Sequence, residues 1–345
     1  MKAMVLKQLW DLSQYHSPLE LVEIPYPSYK NNQVVVEVVT CGVCRTELDE
    51  IEGRTPPSFF PMILGHEIIG RVVEKGSRVQ KLSLGDRVGI AWIHSSCGHC
   101  SFCLEGRENL CAEFKATGRD AHGGYAEYTV IEEDFAFPIP FEFSDEEAAP
   151  LLCAGAVGYR SLKLGNVKNG MNIGFSGFGA SAHLVMKVAQ YLFPSSKLYV
   201  FTRNEKERTF ARELGATWAG DFEEEPPEKL HLIIDTTPAW KPVVLSLRHL
   251  ERGGRLVINA IRKEKPDQDF LLKLSYSEDL WMEKEVKSVA NVTRTDVQQF
   301  LQLAAEALIR PEVQIYPLED ANKALLELKD GKIRGAKVLR IKENG

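Results

Sequence analysis

Long apolar runs are missing from this sequence: no stretch approaches the ~20 apolar residues needed to span a bilayer. Runs of Lys and Arg are missing too, and with a formal net charge of -6 a general surface for nucleic acid or anionic lipid is excluded. Met1 to Trp10 carry Lys2, Lys7 and Gln8 among their apolar positions, so they lack the apolar core and cleavage site of a secretory signal. There is no internal repeat and no low-complexity tract. What remains is ordinary for a globular chain: 345 residues, 44% hydrophobic and 26% charged, suggesting about two domains with cores of their own. A cytoplasmic protein with a small-molecule partner is expected.

Cysteine is the exception to this ordinary composition. Four of the seven cysteines fall within fifteen residues as Cys97-x2-Cys100-x2-Cys103-x7-Cys111. That spacing gathers thiolates around one tetrahedral Zn²⁺, and four sulfur ligands leave no position for water or substrate. The cluster therefore reads as a structural staple, with His99 as a loop residue inside it.

The first half reads as short strands punctuated by Gly and Pro: Met1–Leu6, Leu19–Ile24, Val34–Thr40, Ile68–Glu74, Arg87–Ala91 and Gly124–Ile131. Near Ser144 the texture changes. Ser144 and Glu147 form a capping-box signature ahead of a helical stretch through Ala148–Leu162. Strands and helices then alternate: Asn172–Ser176, Ala180–Leu192, Lys197–Thr202, Lys206–Leu214, Leu232–Thr236, Lys241–Leu250 and Arg255–Asn259. Such alternation predicts a parallel, doubly wound sheet. The tail predicts a helix Asp296–Leu308, a strand Val313–Pro317, a helix Ala321–Lys329 and a strand Lys337–Ile341 that returns to the first domain. The expected fold is thus α/β, with a β-rich domain over 1-153 and 290-345, including the cysteine lobe 97-111, and a dinucleotide-binding domain over 154-289.

Between the first strand and helix of the second domain stands Gly177-Phe178-Gly179-Ala180-Ser181-Ala182, a G-x-G-x-x-A motif. Small residues there let the backbone turn tightly and approach a pyrophosphate at a helix N-terminus. An acid at the end of the next strand would accept hydrogen bonds from the adenine ribose of NAD. This sequence has Thr202 there, followed by Arg203, whose guanidinium can fork onto a 2′-phosphate. NADP(H) is favoured over NAD(H), with Glu205 assigned to the first turn of the following helix.

Three further segments offer ligands for a catalytic metal: Cys41-Gly-Val-Cys44-Arg45-Thr46-Glu47-Leu48-Asp49, Gly65-His66-Glu67 and Leu151-Leu152-Cys153-Ala154-Gly155. Two thiolates and an imidazole around zinc leave a fourth position open to water or an alcohol oxygen. Together with Gly85-Asp86-Arg87-Val88, Gly123-Gly124-Tyr125-Ala126-Glu127-Tyr128 and the motifs above, these segments make nearly the whole chain resemble the zinc-dependent alcohol dehydrogenases of the medium-chain dehydrogenase/reductase family, in the branch of simple primary alcohol and cinnamyl-type enzymes.

The resemblance implies a GroES-like catalytic domain beside a Rossmann cofactor domain, two zinc ions per chain, and a homodimer or homotetramer. It makes Cys44, His66 and Cys153 the catalytic zinc ligands, leaves Cys41 structural, and sets Glu67 close to the metal. Thr46 matches the hydroxyl that accepts the alcohol proton, and Arg45 the partner of the cofactor pyrophosphate. Relatives often have histidine where Asp49 stands, so Asp49 carries the proton onward only if its carboxyl is made a better base. Trp92 and Ile93, with Phe60 and Thr55, are expected to line the substrate pocket. The implied reaction is reversible hydride transfer between a primary alcohol, aliphatic or aromatic, and NAD(P), with aldehyde reduction the expected direction if the cofactor is NADPH. A polyol dehydrogenase typically has Glu as third ligand, which Cys153 argues against. A zinc-free quinone reductase would lack the ligands, and a noncatalytic protein would leave them unexplained.

Overall fold

The computed structural model describes residues 1–331 and 335–342, without the side chains of Ala180 and Ser181. The chain divides into two compact units, one of Met1–Ala156 with Asn291–Gly345 and the other of Val157–Ala290.

The hub of the first unit is the strand Gln33–Val43, which pairs antiparallel with Ile68–Lys75, Tyr128–Glu132 and Ala336–Arg340. Val34, Val35, Val36 and Val38 are fully buried, so this strand is covered on both faces and reads as a near-continuous apolar run. The last described strand of the chain thus joins the sheet begun by the first half. Register shifts between Val35 and Val36 and between Val38 and Thr40 bend the hub where it runs toward Cys41 and Cys44.

Two sequence expectations change here. The strand expected from Gly124 begins at Tyr128. The preceding residues pack across a loop instead, with the amides of Gly124 and Tyr125 donating to Gly65 and Leu64 carbonyls at 3.0 Å each. A Cβ on Gly124 would lie 2.4 Å from Ile68, so only glycine permits this approach beside the Gly65-His66 turn. The helix expected through Ala148–Leu162 is broken: Asp145–Ala148 passes into a 3₁₀ turn Ala149–Leu152 that contains Pro150, and the α-helix resumes as Ala154–Gly165. Proline removes a backbone donor and clashes with the preceding turn. Cys153 is left at the junction.

The second unit carries a parallel six-stranded sheet. Its order is Trp218–Gly220, Leu198–Phe201, Ile173–Ser176, Leu230–Asp235, Leu250–Ile258, Glu285–Ser288. In sequence terms this is 3-2-1-4-5-6, the doubly wound arrangement whose order reverses beside the first strand. Tyr199, Phe201, Leu230, Ile233, Val243, Leu247 and Leu256 pack one of its cores. Both edge strands escaped the sequence reading: Trp218–Gly220 is only three residues long, and all four residues of Glu285–Ser288 are exposed, leaving no apolar alternation to mark either. Among the described residues no helix is long and apolar enough to cross a membrane.

Candidate active site and metal centres

Within the first unit the broken helix and the bent hub bring three distant segments together. Cys44 is the N-cap of the helix Arg45–Ile51. Its Sγ lies 3.8 Å from Cys153 Sγ, which is 3.4 Å from His66 Nε2. A tetrahedral metal with sulfur arms of about 2.3 Å has ligand-to-ligand edges of about 3.8 Å, so the donor set and its spacing both fit zinc. Glu67 belongs to the same donor group, whose ligand atoms lie within 4.8 Å of one another. Gly42 makes room for it, since a Cβ there would fall 1.8 Å from Glu67 Oε2. Burial, and then the charge of Cys44, push the Glu67 carboxyl well above its ordinary range. Cys41 lies outside this donor group; it is fully buried, with its Sγ packed against Gly65 and Gly124.

Sequence reasoning missed the carboxylate behind the histidine. Glu47 Oε1 lies 2.7 Å from His66 Nδ1, and its Oε2 accepts a 2.7 Å hydrogen bond from the Cys44 amide. The available signal was an acid three residues after a helix-capping ligand. One turn further, Glu50 is fully buried, and neither of its carboxylate oxygens has a hydrogen-bond partner among the described residues. Burial, then the Glu47 charge, raise its carboxyl well above the usual range.

The other four cysteines also converge. Cys97, Cys100, Cys103 and Cys111 form one group of ligand atoms within 4.8 Å of one another, with Cys97 and Cys103 sulfurs 3.8 Å apart. The amide of Cys100 donates to Cys97 Sγ at 3.3 Å, and those of Cys97 and Glu113 to Cys111 Sγ at 3.5 and 3.3 Å. Backbone N–H groups from His99 and Cys100 pull Cys97 down to about 6, because a thiolate accepts them better than a thiol does. This closed sulfur set also fits zinc. His99 is exposed, with Nδ1 2.8 Å from the Cys97 carbonyl.

Around the open centre, Thr46 Oγ1 lies 3.6 Å from Cys44 Sγ, and Arg45 is exposed. Asp49 is buried and pairs with Arg54 at 2.6 Å. Trp92 is buried between Phe114, with ring centroids 5.3 Å apart, and the Arg119 guanidinium, 5.0 Å from its ring. Ile93 is fully buried, Thr55 half-buried and Phe60 exposed.

In the second unit Gly177 takes φ +82° at the end of the first strand, and a Cβ there would meet Thr236 and Thr237 at 2.9 Å. Gly179 caps the helix Ala180–Leu192, and a Cβ on it would meet nothing within 4 Å. The space over this helix N-terminus is therefore open, as close approach of an anion to a helix end requires. Phe178 and Ala182 are buried, Phe178 with its ring 6.0 Å from that of Phe210. Thr202 is buried and Arg203 exposed, without an ion pair among the described residues. Glu205 is taken by Arg208, at 2.5 and 2.8 Å.

Comparison with known proteins agrees with this geometry. Residues 30–141 match the alcohol dehydrogenase GroES-like domain, and residues 214–339 match the zinc-binding dehydrogenase family. A probable alcohol dehydrogenase AdhA of Mycobacterium tuberculosis is 41% identical over 330 residues, covering 94% of this chain and 93% of that one. An alcohol dehydrogenase of Geobacillus stearothermophilus is 32% identical over 342 residues, covering 96% and 98%. In fold, the chain superimposes on the CAD from Helicobacter pylori complexed with NADP(H) with a TM-score of 0.85 at 23% identity, over 100% of this chain and 99% of that one.

Proposed function

Since the chain belongs to the zinc-type alcohol dehydrogenases of the medium-chain dehydrogenase/reductase family, we propose that it interconverts a primary alcohol, aliphatic or aromatic, and its aldehyde with NADP(H) favoured over NAD(H). The observation that carries this reading is the convergence of Cys44, His66 and Cys153 at 3.4–3.8 Å, three ligands that leave a tetrahedral metal one further position. When bound, the metal supplies Lewis acidity to an oxygen in that fourth position, and the nicotinamide accepts or returns the hydride.

The rest of the work falls to the chain's own side chains. Glu47 holds His66 so that Nε2 faces the thiols. The Thr46 hydroxyl, 3.6 Å from Cys44 Sγ, takes the proton that the alcohol gives up and passes it to water. Asp49 is engaged by Arg54, which supports a relay that ends at solvent without it. Glu67 stands beside the ligands as a neighbouring carboxyl. Trp92 and Ile93 supply an apolar wall, favouring a medium-sized apolar substrate. Arg45 offers an exposed cation to the cofactor's diphosphate. The NADP(H) preference rests on Arg203, and the four-cysteine lobe adds a second, structural zinc.

Metal analysis should find about two zinc ions per chain. A panel of primary alcohols and aldehydes assayed with both cofactors should give higher kcat/KM with NADP(H). Absence of zinc would refute the catalytic reading, and a clear NAD(H) preference would refute the cofactor assignment.

A further inference from the structure

We infer that Glu207 determines how the second unit discriminates between dinucleotides, by presenting a carboxylate to the adenosine 2′-hydroxyl beside an Arg203 that favours a 2′-phosphate. This rests on the reading of the second unit as a dinucleotide site. In a doubly wound fold the acid that accepts from the adenine ribose sits at the end of the second strand. Here that position is Thr202, buried and 5% exposed, following the strand Leu198–Phe201.

The structure brings a carboxylate to the same place from the helix. Thr202 Oγ1 donates to Glu207 Oε2 at 2.5 Å and accepts from the Asn204 amide at 3.3 Å. The threonine is therefore occupied as a bracket, holding Glu207 against the strand end. Glu207 is half-buried, and its other oxygen has no partner among the described residues. The rival acid, Glu205, is held by Arg208 and reaches Arg212 at 3.5 Å. Of the two acids in this first helical turn, Glu207 is the one with an acceptor to offer.

The two charges at this strand end act in opposite directions. A ribose hydroxyl can donate to a carboxylate, whereas a 2′-phosphate is repelled by it and attracted by a guanidinium. Arg203 is exposed and makes no ion pair among the described residues, so Glu207 does not neutralise it. The site thus keeps NAD(H) usable and moderates the preference for NADP(H), and removing either charge tips the balance.

Titration calorimetry separates these roles without turnover. The ligands are NADH, NADPH, and the fragments 5′-AMP and 2′,5′-ADP, which contain no nicotinamide. Glu207→Gln should weaken NADH and 5′-AMP by about tenfold and tighten NADPH and 2′,5′-ADP by a similar factor. Arg203→Ala should weaken only the 2′-phosphorylated ligands, by about tenfold or more. Thr202→Val, which frees Glu207 from its bracket, should shift the ratio as Glu207→Gln does, but less. Unligated melting curves check that each variant is folded. If Glu207→Gln leaves the NADH to NADPH affinity ratio unchanged, the inference is wrong while the dinucleotide reading stands. If the unaltered protein binds none of the four ligands, the dinucleotide reading itself falls.

Discussion

The imidazole of His66 meets the Glu47 carboxylate at 2.7 Å through Nδ1, with both side chains buried. With Nδ1 set against Glu47, the opposite edge of the ring, Nε2, faces Cys153. Glu47 is itself fixed by the Cys44 amide, so one carboxylate orients two ligands. Glu47→Ala should lower zinc affinity at this centre by about 10–100-fold, with Glu47→Gln losing less. Competition against a chromophoric chelator measures this, and unchanged affinity in Glu47→Ala would remove the orienting role.

Much of this arrangement was legible in the sequence, for physical reasons that differ by region. The four inner strands of the second unit with the helices between them, the glycine motif and the cysteine spacing are local signals that the sequence carries, although the strand expected at Arg255–Asn259 begins at Leu250. Helix continuity across Pro150 was misjudged because the apolar pattern of residues 148–162 outweighed a single breaker, although the break is what presents Cys153. The Glu285–Ser288 strand is polar and exposed, so only its parallel pairing with Leu250–Ile258 identifies it. Glu47 and Glu207 escaped notice for a common reason. Each is an acid in the first turn of a helix, where a favourable interaction with the helix end accounts for it without further function. Only the side-chain partners, His66 and Thr202, separate such residues from ordinary surface acids.

The four-cysteine lobe is tied to the rest of the first unit by Glu108. Its Oε1 accepts from the Arg294 amide at 2.9 Å and from Arg294 Nε at 3.1 Å, at the start of the helix Arg294–Glu306. Glu108 is 2% exposed, so its loss would leave a buried helix end without an acceptor. Glu108→Ala should cost about 1–3 kcal/mol in denaturant unfolding while leaving zinc content unchanged. Cys100→Ser should instead reduce zinc by about one ion per chain and destabilise as well. Loss of zinc in Glu108→Ala would mean that this residue supports the metal rather than the tether.

Asp49 and Thr46 separate in a pH–rate experiment. Asp49 is buried and paired with Arg54, and Asp49→Asn removes its charge while leaving the guanidinium an oxygen acceptor. The midpoint of its pH–rate profile should not move. Thr46→Val removes the hydroxyl beside Cys44 and should lower kcat by about 10²–10⁴-fold. A displaced profile in Asp49→Asn would place that carboxylate in the proton path after all.

His94 provides a pH test of folding that requires no turnover. Its Nδ1 is buried without a hydrogen-bond partner among the described residues. Burial, and then the charge of Lys115, pull it down to about 4 from an ordinary value of 6.5. The folded protein therefore keeps His94 neutral in a range where the unfolded chain takes up a proton. The associated stability is complete above about pH 6.5 and declines as pH falls toward about 4. Between pH 7 and pH 5 this one group should account for about 2 kcal/mol of lost stability. Urea unfolding of the unaltered protein and His94→Phe at both pH values isolates it, because acid effects at the zinc ligands are common to both chains. The variant should lose less stability on acidification by that amount, and equal losses would show that His94 is protonated in the folded state.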